Sequence, residues 1–191
     1  MGIEFELKYR AEEGKIAAIA AKYGDFTSIS METTYYDTPA RSLSPLHWTL
    51  RRRSENGKSV CTLKTPAPGG ARGEWETECG DILSAIPELC KLGAPIQLVA
   101  YTFDGVEQVC GAKFTRLAKT LVLESCTVEL ALDRGCLMGG NREEPLCEVE
   151  VELKAGSEEA AVAFATALAE EFGLIPERGS KYRRALALAQ K

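Results

Sequence analysis

The sequence predicts an α+β fold in which eight antiparallel strands close into a barrel, forming a tunnel, with amphipathic helices packed outside it. Eight stretches alternate apolar and polar residues, which is the period of a β-strand. Short connections rich in Gly, Pro and Asn join them, as in antiparallel hairpins. Apolar residues at helical spacing are confined to a few segments. With 191 residues and no repeat or linker, we expect one domain over residues 1–191.

The predicted strands follow one another with few interruptions. The clearest hairpin turn is Asn56-Gly57, between the third and fourth strands. Pro66 to Gly70, Arg134-Gly135 and Gly139 to Asn141 are read as further turns. The predicted strands are residues 2–10, 33–38, 47–54, 58–65, 72–79, 112–123, 126–133 and 145–154.

Helices are predicted over residues 11–23, 157–172 and about 180–188, with a weaker one at 81–91. Apolar residues repeat on one side of the first two. Ser157 is a typical N-cap of the second, and Gly173 lies just past its end. These helices can cover the apolar outer face of the sheet.

Composition excludes several classes of function. The formal net charge of −5 gives no global attraction for a nucleic-acid backbone. No stretch reaches the roughly 18 consecutive apolar residues of a membrane span, and charged residues stand where a signal peptide is apolar. We therefore expect a cytoplasmic protein without nucleic-acid or membrane partners.

Cysteine and histidine usage argues against several kinds of site. The seven cysteines form no CxxC pair and lie mostly among apolar neighbours, as buried thiols do. His47 is the single histidine, so a multi-histidine zinc site is excluded. We interpret His47 as a strand or turn residue without direct chemistry.

The polar positions of six strands are occupied almost entirely by ionisable residues. In the last strand, Glu148, Glu150 and Glu152 share one face, because strand side chains alternate between faces. A solvated face explains any single strand, but adjacent like charges destabilise a sheet. In a closed sheet these residues would line the interior. They comprise nine acids and eight bases: Glu4, Glu6, Glu74, Glu76, Glu129, Asp133, Glu148, Glu150, Glu152, Lys8, Arg51, Arg53, Lys64, Arg72, Arg116, Lys154 and Lys181.

Such a lining must be wet, paired or filled by a ligand, since an unpaired buried charge costs several kcal/mol. Carboxylates without histidine or paired thiols are hard oxygen ligands that favour Mg²⁺ or Mn²⁺. Arg and Lys are the usual partners of phosphate. The pattern predicts a metal-dependent site for a small-molecule polyphosphate.

The sequence resembles the CYTH domain of the triphosphate tunnel metalloenzymes. Its opening ExExK motif is similar to the family signature, and further motifs continue the similarity in order over nearly the whole chain. They are Glu4-Phe5-Glu6-Leu7-Lys8, Tyr35-Tyr36-Asp37-Thr38, Leu50-Arg51-Arg52-Arg53, Thr62-Leu63-Lys64, Arg72-Gly73-Glu74-Trp75-Glu76, Phe114-Thr115-Arg116, Val128 to Gly135, Glu148 to Lys154 and Ser180-Lys181-Tyr182. One departure is His47, where family members often have Gly.

The resemblance implies an eight-stranded tunnel, divalent metal and triphosphate substrates. It implies phosphate binding by Lys8, Arg51, Arg53, Lys64, Arg116 and Lys181, with Arg72 a further candidate. It implies metal binding by Glu4, Glu6, Glu148, Glu150 and Glu152, with Glu129 and Asp133 in second rank. Glu4, Glu6, Glu150 and Lys181 are the predicted catalytic residues.

The function predicted from these residues is hydrolysis of inorganic triphosphate to pyrophosphate and phosphate. A class IV adenylyl cyclase, a thiamine triphosphatase, a non-catalytic polyphosphate-binding module and a structural barrel with a salt-bridged interior are the alternatives. The sequence makes no prediction of oligomeric state.

Overall fold

Nine antiparallel strands form one sheet in the computed structural model, which describes residues 5–67 and 72–190. The strands are β1 (Glu6–Arg10), β2 (Thr27–Asp37), β3 (Thr49–Glu55), β4 (Lys58–Pro66), β5 (Arg72–Glu78), β6 (Glu107–Val122), β7 (Cys126–Gly139), β8 (Arg142–Gly156) and β9 (Ile175–Pro176). The helices are α1 (Glu13–Tyr23), α2 (Ile82–Lys91), α3 (Gln97–Tyr101), α4 (Glu158–Phe172) and α5 (Lys181–Ala189). None of the described helices is long and apolar enough to cross a membrane.

The predicted closure into an eight-stranded barrel is wrong for the described residues. The strand order is β5-β4-β3-β2-β6-β7-β8-β1-β9, and the edge strands β5 and β9 do not pair with each other. The two-residue strand β9 occupies the free edge of β1, where Tyr9 and Arg10 pair with Pro176 and Ile175. Residues of β1 and β5 still line one cavity. The sheet is therefore an open, curved trough.

Several strands are longer than predicted. β6, β7 and β8 contain 16, 14 and 15 residues. β7 runs straight through Arg134 and Gly135, which the sequence suggested as a turn. A Cβ at Gly135 would lie 2.1 Å from the carbonyl oxygen of Lys113, so this glycine permits a close approach of β6 instead of a turn.

The convex face of the sheet is apolar and carries α1 and α4. Val149 and Val151 of β8 are buried there together with Ile19 of α1 and Leu168 of α4. The predicted caps of α4 are confirmed: the hydroxyl of Ser157 accepts from the amide of Ala160, and Gly173 is left-handed. Burial of each such aliphatic side chain stabilises the fold by roughly 1.5–3 kcal/mol.

A second part of the convex face is covered by α2 and α3. Leu50 and Leu63, from β3 and β4, are buried against Leu89 of α2 and Leu98 of α3. The sequence did not predict α3, which is only five residues long. The predicted strand from residue 47 begins at Thr49, because Pro45 lies in a 3-10 turn (Ser44–Leu46) and His47 is left-handed with φ 55°.

Helix α5 lies on the concave face, so the prediction that the helices pack outside is wrong for this element. Ala185 and Leu188 are buried against Phe114, Leu137 and Leu146, which share the inner face of β6, β7 and β8. This end of the inner face is apolar, and α5 covers it. The helix places Lys181, its first residue, at the border between this apolar end and the ionic part of the trough.

Candidate active site

A charged cavity of about 150 Å³ lies on the concave face of the sheet. Strand alternation positions its side chains: Glu148, Glu150 and Glu152 point to the inner face of β8, as the sequence predicted from their spacing. The cavity is lined by Glu6, Lys8, Tyr35, Thr49, Arg51, Arg53, Lys64, Arg72, Arg116, Glu150, Glu152, Ser180, Lys181 and Tyr182.

The cavity is lined mainly by cations. Its lining contains seven Lys and Arg side chains and three carboxylates. All seven cations that the sequence predicted as phosphate ligands are in this lining. Glu74, Asp133 and Glu148 lie outside the lining but within 3.5 Å of some of these cations, so much of the positive charge is compensated. Lys and Arg side chains gathered in one cavity can bind a small polyanion.

Arg51 and Arg53 have incomplete hydrogen bonding. The Nε atoms of both guanidinium groups are buried and, within the described part of the chain, have no hydrogen-bond partner. The nearest carboxylate to Arg53 among the described residues is Glu55 at 3.5 Å, and the Arg53 side chain is 18% exposed. Burial, followed by the neighbouring charges of Arg51 and Arg116, lowers the pKa of Arg53. A phosphate oxygen in the cavity could accept the free hydrogen bonds of these groups.

Three cations of the cavity lie beside carboxylates. Arg51 is 3.5 Å from Glu74, and Lys64 is 3.1 Å from the same carboxylate. Lys8 is 3.0 Å from Glu6 and 3.8 Å from Glu150. Burial alone would lower the pKa of Lys8, but these two carboxylates raise it, so Lys8 stays charged.

Lys181 lies among three buried carboxylates. Its Nζ atom is 2.6 Å from Glu148, 2.7 Å from Glu150 and 2.8 Å from Asp133. Arg116 donates to both oxygens of Asp133 at 2.7 Å and also to Glu150. Burial alone would raise the pKa of Glu150, but Lys181 and Arg116 hold it well below its usual range. Burial opposes charge on Lys181 too, and the same carboxylates raise its pKa.

Arg184, which the sequence reasoning missed, is a second cation on α5 that reaches this cluster. It forms ion pairs with the wholly buried Glu148 and, at 3.0 Å, with Glu144. The sequence could have indicated Arg184 by its spacing, because residues three positions apart on a helix, such as Lys181 and Arg184, lie on the same side. Glu148 therefore joins two cations of α5 to the sheet. The sequence also missed Tyr35, Thr49 and Tyr182 in the lining.

A row of carboxylates crosses three neighbouring strands beside the cavity. Glu6 lies directly opposite Glu152, and Glu152 lies directly opposite Glu129. Like charges at such positions repel each other, and among the described residues Lys8 and Lys154 form the ion pairs with them. Carboxylate oxygens are hard donors that suit Mg²⁺ or Mn²⁺. In this structure the three carboxylates do not bring one oxygen each within 4.8 Å of one another.

A second acidic group is less suitable for a metal. Asp133, Glu148 and Glu150 place one oxygen each within 4.8 Å of one another. Lys181 contacts all three, and Arg116 and Arg184 pair with them as well, so three cations compensate their negative charge. Glu4 lies outside the described residues. His47 is exposed and is not part of the cavity lining.

The fold and the cavity place this chain among α+β proteins that carry an ionic site on the concave face of an antiparallel sheet. Residues 2–186 match the family model of the CYTH domain, and the chain therefore belongs to the CYTH family.

Relatives and solved structures agree with this assignment. An inorganic triphosphatase of Haemophilus influenzae is 25% identical over 166 residues, which are 86% of this chain and 47% of that protein. The chain thus spans about half the length of this relative. The PH1819 protein of Pyrococcus horikoshii has a TM-score of 0.63 and 24% identity, covering 98% of this chain and 99% of that one. HpAC1 from Hippeastrum, described by its dominant triphosphatase activity, has a TM-score of 0.66 and 18% identity over 100% of this chain and 95% of its own. These two structures share the fold.

Proposed function

We propose that this protein hydrolyses inorganic triphosphate to pyrophosphate and phosphate with the help of Mg²⁺ or Mn²⁺. The observation that carries the proposal is the gathering of seven Lys and Arg side chains in one cavity, where the buried Nε atoms of Arg51 and Arg53 have no hydrogen-bond partner among the described residues. The triphosphatase relative supports the same activity.

The cations hold the substrate in line. Arg51, Arg53 and Lys64 bind phosphate oxygens at one end, with Arg72 beside them, and Arg guanidinium groups offer paired donors suited to phosphate. Lys8 and Lys181 bind from the opposite side of the trough. Positive charge fixed in advance stabilises the charge that develops on the phosphoryl oxygens during transfer.

The carboxylates divide into two groups with different tasks. Glu6 and Glu152, with Glu129 and Glu4 as further ligands, would hold the divalent cation. Such a cation neutralises phosphate oxygens that would otherwise repel the nucleophile. Asp133, Glu148 and Glu150 orient Lys181 and Arg116 instead. The lowered pKa of Glu150 makes this carboxylate a weak base, so its role is to hold the two cations in place.

The reaction is a displacement at the terminal phosphorus. The oxygen of a water molecule bonds to that phosphorus, and the bond from phosphorus to the bridging oxygen breaks. Pyrophosphate leaves with the electron pair of that bond, and the proton of the water passes to solvent.

The test is to incubate the protein separately with tripolyphosphate, ATP and thiamine triphosphate, with Mg²⁺, with Mn²⁺ and with EDTA. We expect equal amounts of phosphate and pyrophosphate from tripolyphosphate with metal and no turnover in EDTA. Cyclic AMP from ATP without released phosphate would identify a cyclase instead. Faster hydrolysis of thiamine triphosphate would make that the substrate, and metal-independent binding without turnover would identify a polyphosphate-binding module. In the same assay we expect Arg53→Gln, which removes a cation of the cavity, to lose turnover. Lys58→Gln, which removes an exposed charge of β4, is its matched control and should keep turnover.

A further inference from the structure

A buried carboxylate outside the cavity is linked to the helix that carries Lys181. Asp37, at the end of β2, is wholly buried. One of its oxygens accepts from the amides of Thr38 at 2.7 Å and Leu43 at 2.9 Å. The other accepts from the amide of Ser44 at 3.0 Å and from the Ser44 hydroxyl. Asp37 has no ion pair within the described ranges, so these donors alone compensate its charge.

The hydrogen bonds continue from Ser44 to α5. The Ser44 hydroxyl lies 2.9 Å from the hydroxyl of Tyr182. An ionised carboxylate only accepts hydrogen bonds, so Ser44 must donate its proton to Asp37. Tyr182 therefore donates to Ser44. The hydrogen bonds therefore run in one direction, from Tyr182 to Ser44 to Asp37, and the bond between Ser44 and Tyr182 joins residues 138 positions apart in sequence.

Tyr182 follows Lys181 directly and lies in the first turn of α5. Its ring packs on Tyr35, with 5.1 Å between the ring centroids, and both rings line the cavity. The start of α5 is thus attached on one side to the sheet through Glu148 and on the other to the loop after β2. A displaced first turn would carry Lys181 away from its carboxylates and from the cavity.

We propose that Asp37 and Ser44 are positioning residues that hold the first turn of α5, and with it Lys181, at the cavity. The proposal rests on the proposed function, since Lys181 is taken as a phosphate ligand. If Asp37 only stabilised the loop after β2, its hydrogen bonds from the three backbone amides would be sufficient. The Ser44 hydroxyl adds the one link to Tyr182.

The test compares Ser44→Ala with Ser44→Thr, which keeps the hydroxyl, and with Ser157→Ala, which removes a capping hydroxyl from α4 on the opposite face. Hydrogen exchange of amides 184–189 reports on α5, and tripolyphosphate affinity and turnover report on the cavity. In Ser44→Ala we expect exchange in α5 to accelerate roughly three- to ten-fold, as for the loss of one hydrogen bond. We expect tripolyphosphate binding to weaken by a similar factor, and Ser44→Thr to restore both.

The controls separate positioning from general loosening. Ser157→Ala should accelerate exchange in α4 and leave α5 and turnover unchanged. Tyr182→Phe removes the same hydrogen bond from the other end, so adding Ser44→Ala to it should change exchange no further. Unchanged α5 exchange in Ser44→Ala, or faster exchange with unaltered tripolyphosphate binding, would overturn the proposal. If the wild-type protein leaves tripolyphosphate intact, the proposed function fails, and the exchange comparison still decides whether Ser44 holds α5.

Discussion

Replacement of Lys181 by Met tests whether the buried ionic cluster depends on this one ammonium group. Met keeps most of the apolar length of the side chain and removes the charge together with its hydrogen-bond donors. In the wild-type protein, the Lys181 Nζ atom is within 2.8 Å of Glu148, Glu150 and Asp133, whose side chains are 0%, 9% and 0% exposed. The variant leaves these carboxylates buried with one fewer cation.

The expected loss of stability follows from the burial of the cluster. Removing one partner of a buried ion pair costs about 3–5 kcal/mol, because the other partner stays uncompensated. Arg116 still pairs with Asp133 and Glu150, and Arg184 still pairs with Glu148. We therefore expect the lower end of the range, about 3 kcal/mol. A domain with roughly 5–15 kcal/mol of stability remains folded after such a loss.

The loss of stability in Lys181→Met should become smaller as the pH falls. Lys181 and Arg116 lower the pKa of Glu150 in the folded protein, so its charge stabilises the wild-type fold above the ordinary value of 4.5. That stabilisation is lost as the pH falls through the lowered folded pKa. In Lys181→Met, burial acts with less opposition and favours the protonated carboxyl group. The variant therefore recovers relative to the wild type as the pH falls, and the difference is largest at neutral pH.

Urea denaturation at pH 7.5 and pH 3.5, followed by the fluorescence of the two tryptophans, measures the effect. Lys22→Met is the control, because Lys22 forms an exposed pair with Glu171, and we expect its midpoint to match the wild type. A loss below about 1 kcal/mol at pH 7.5 for Lys181→Met would refute the reasoning. A loss of equal size at both pH values would refute its electrostatic part.

Three further substitutions test separate parts of the structure. Arg53→Gln should abolish tripolyphosphate hydrolysis. It should leave the melting temperature unchanged or higher, because it removes a poorly paired guanidinium group whose Nε atom is buried. A lower melting temperature would indicate a structural role for Arg53. Glu152→Gln should raise the Mg²⁺ concentration for half-maximal activity by about ten-fold or more, and an unchanged metal titration would remove this carboxylate from the metal site. Gly139→Ala would place a Cβ 2.2 Å from the carbonyl oxygen of Ala185 in α5. We therefore expect α5 to be displaced and a urea titration to show about 1–3 kcal/mol of destabilisation. Wild-type stability of this variant would contradict the close packing of Gly139 against α5.

Much of the local structure could be predicted from the sequence. The alternation of Val149 and Val151 with Glu148 and Glu150 correctly separated an apolar face from an ionic one. This works because the direction of a strand side chain depends only on the parity of its position. The caps of α4 were predictable for the same reason, since capping involves residues within one turn.

The closure of the sheet and the place of α5 could not be predicted in this way. Closure depends on whether the two edges meet, and the short strand β9, at Ile175 and Pro176, lies against β1 instead. The amphipathic pattern of α5 showed that one side is buried but not on which face of the sheet. The partners of Ala185 and Leu188, including Phe114, belong to strands far away in the sequence.

The amino-acid sequence by itself determined which residues are charged and which of those on strands share one face of the sheet. Only the tertiary structure decided which charges compensate each other. The helix brings Lys181 to Asp133, 48 positions earlier, and to Glu148 and Glu150, whereas the carboxylate that pairs with Arg53 among the described residues, Glu55, is 3.5 Å away. The physical reason is that a Coulomb interaction depends on distance and burial, and both arise from the curvature of the sheet and the packing of α5.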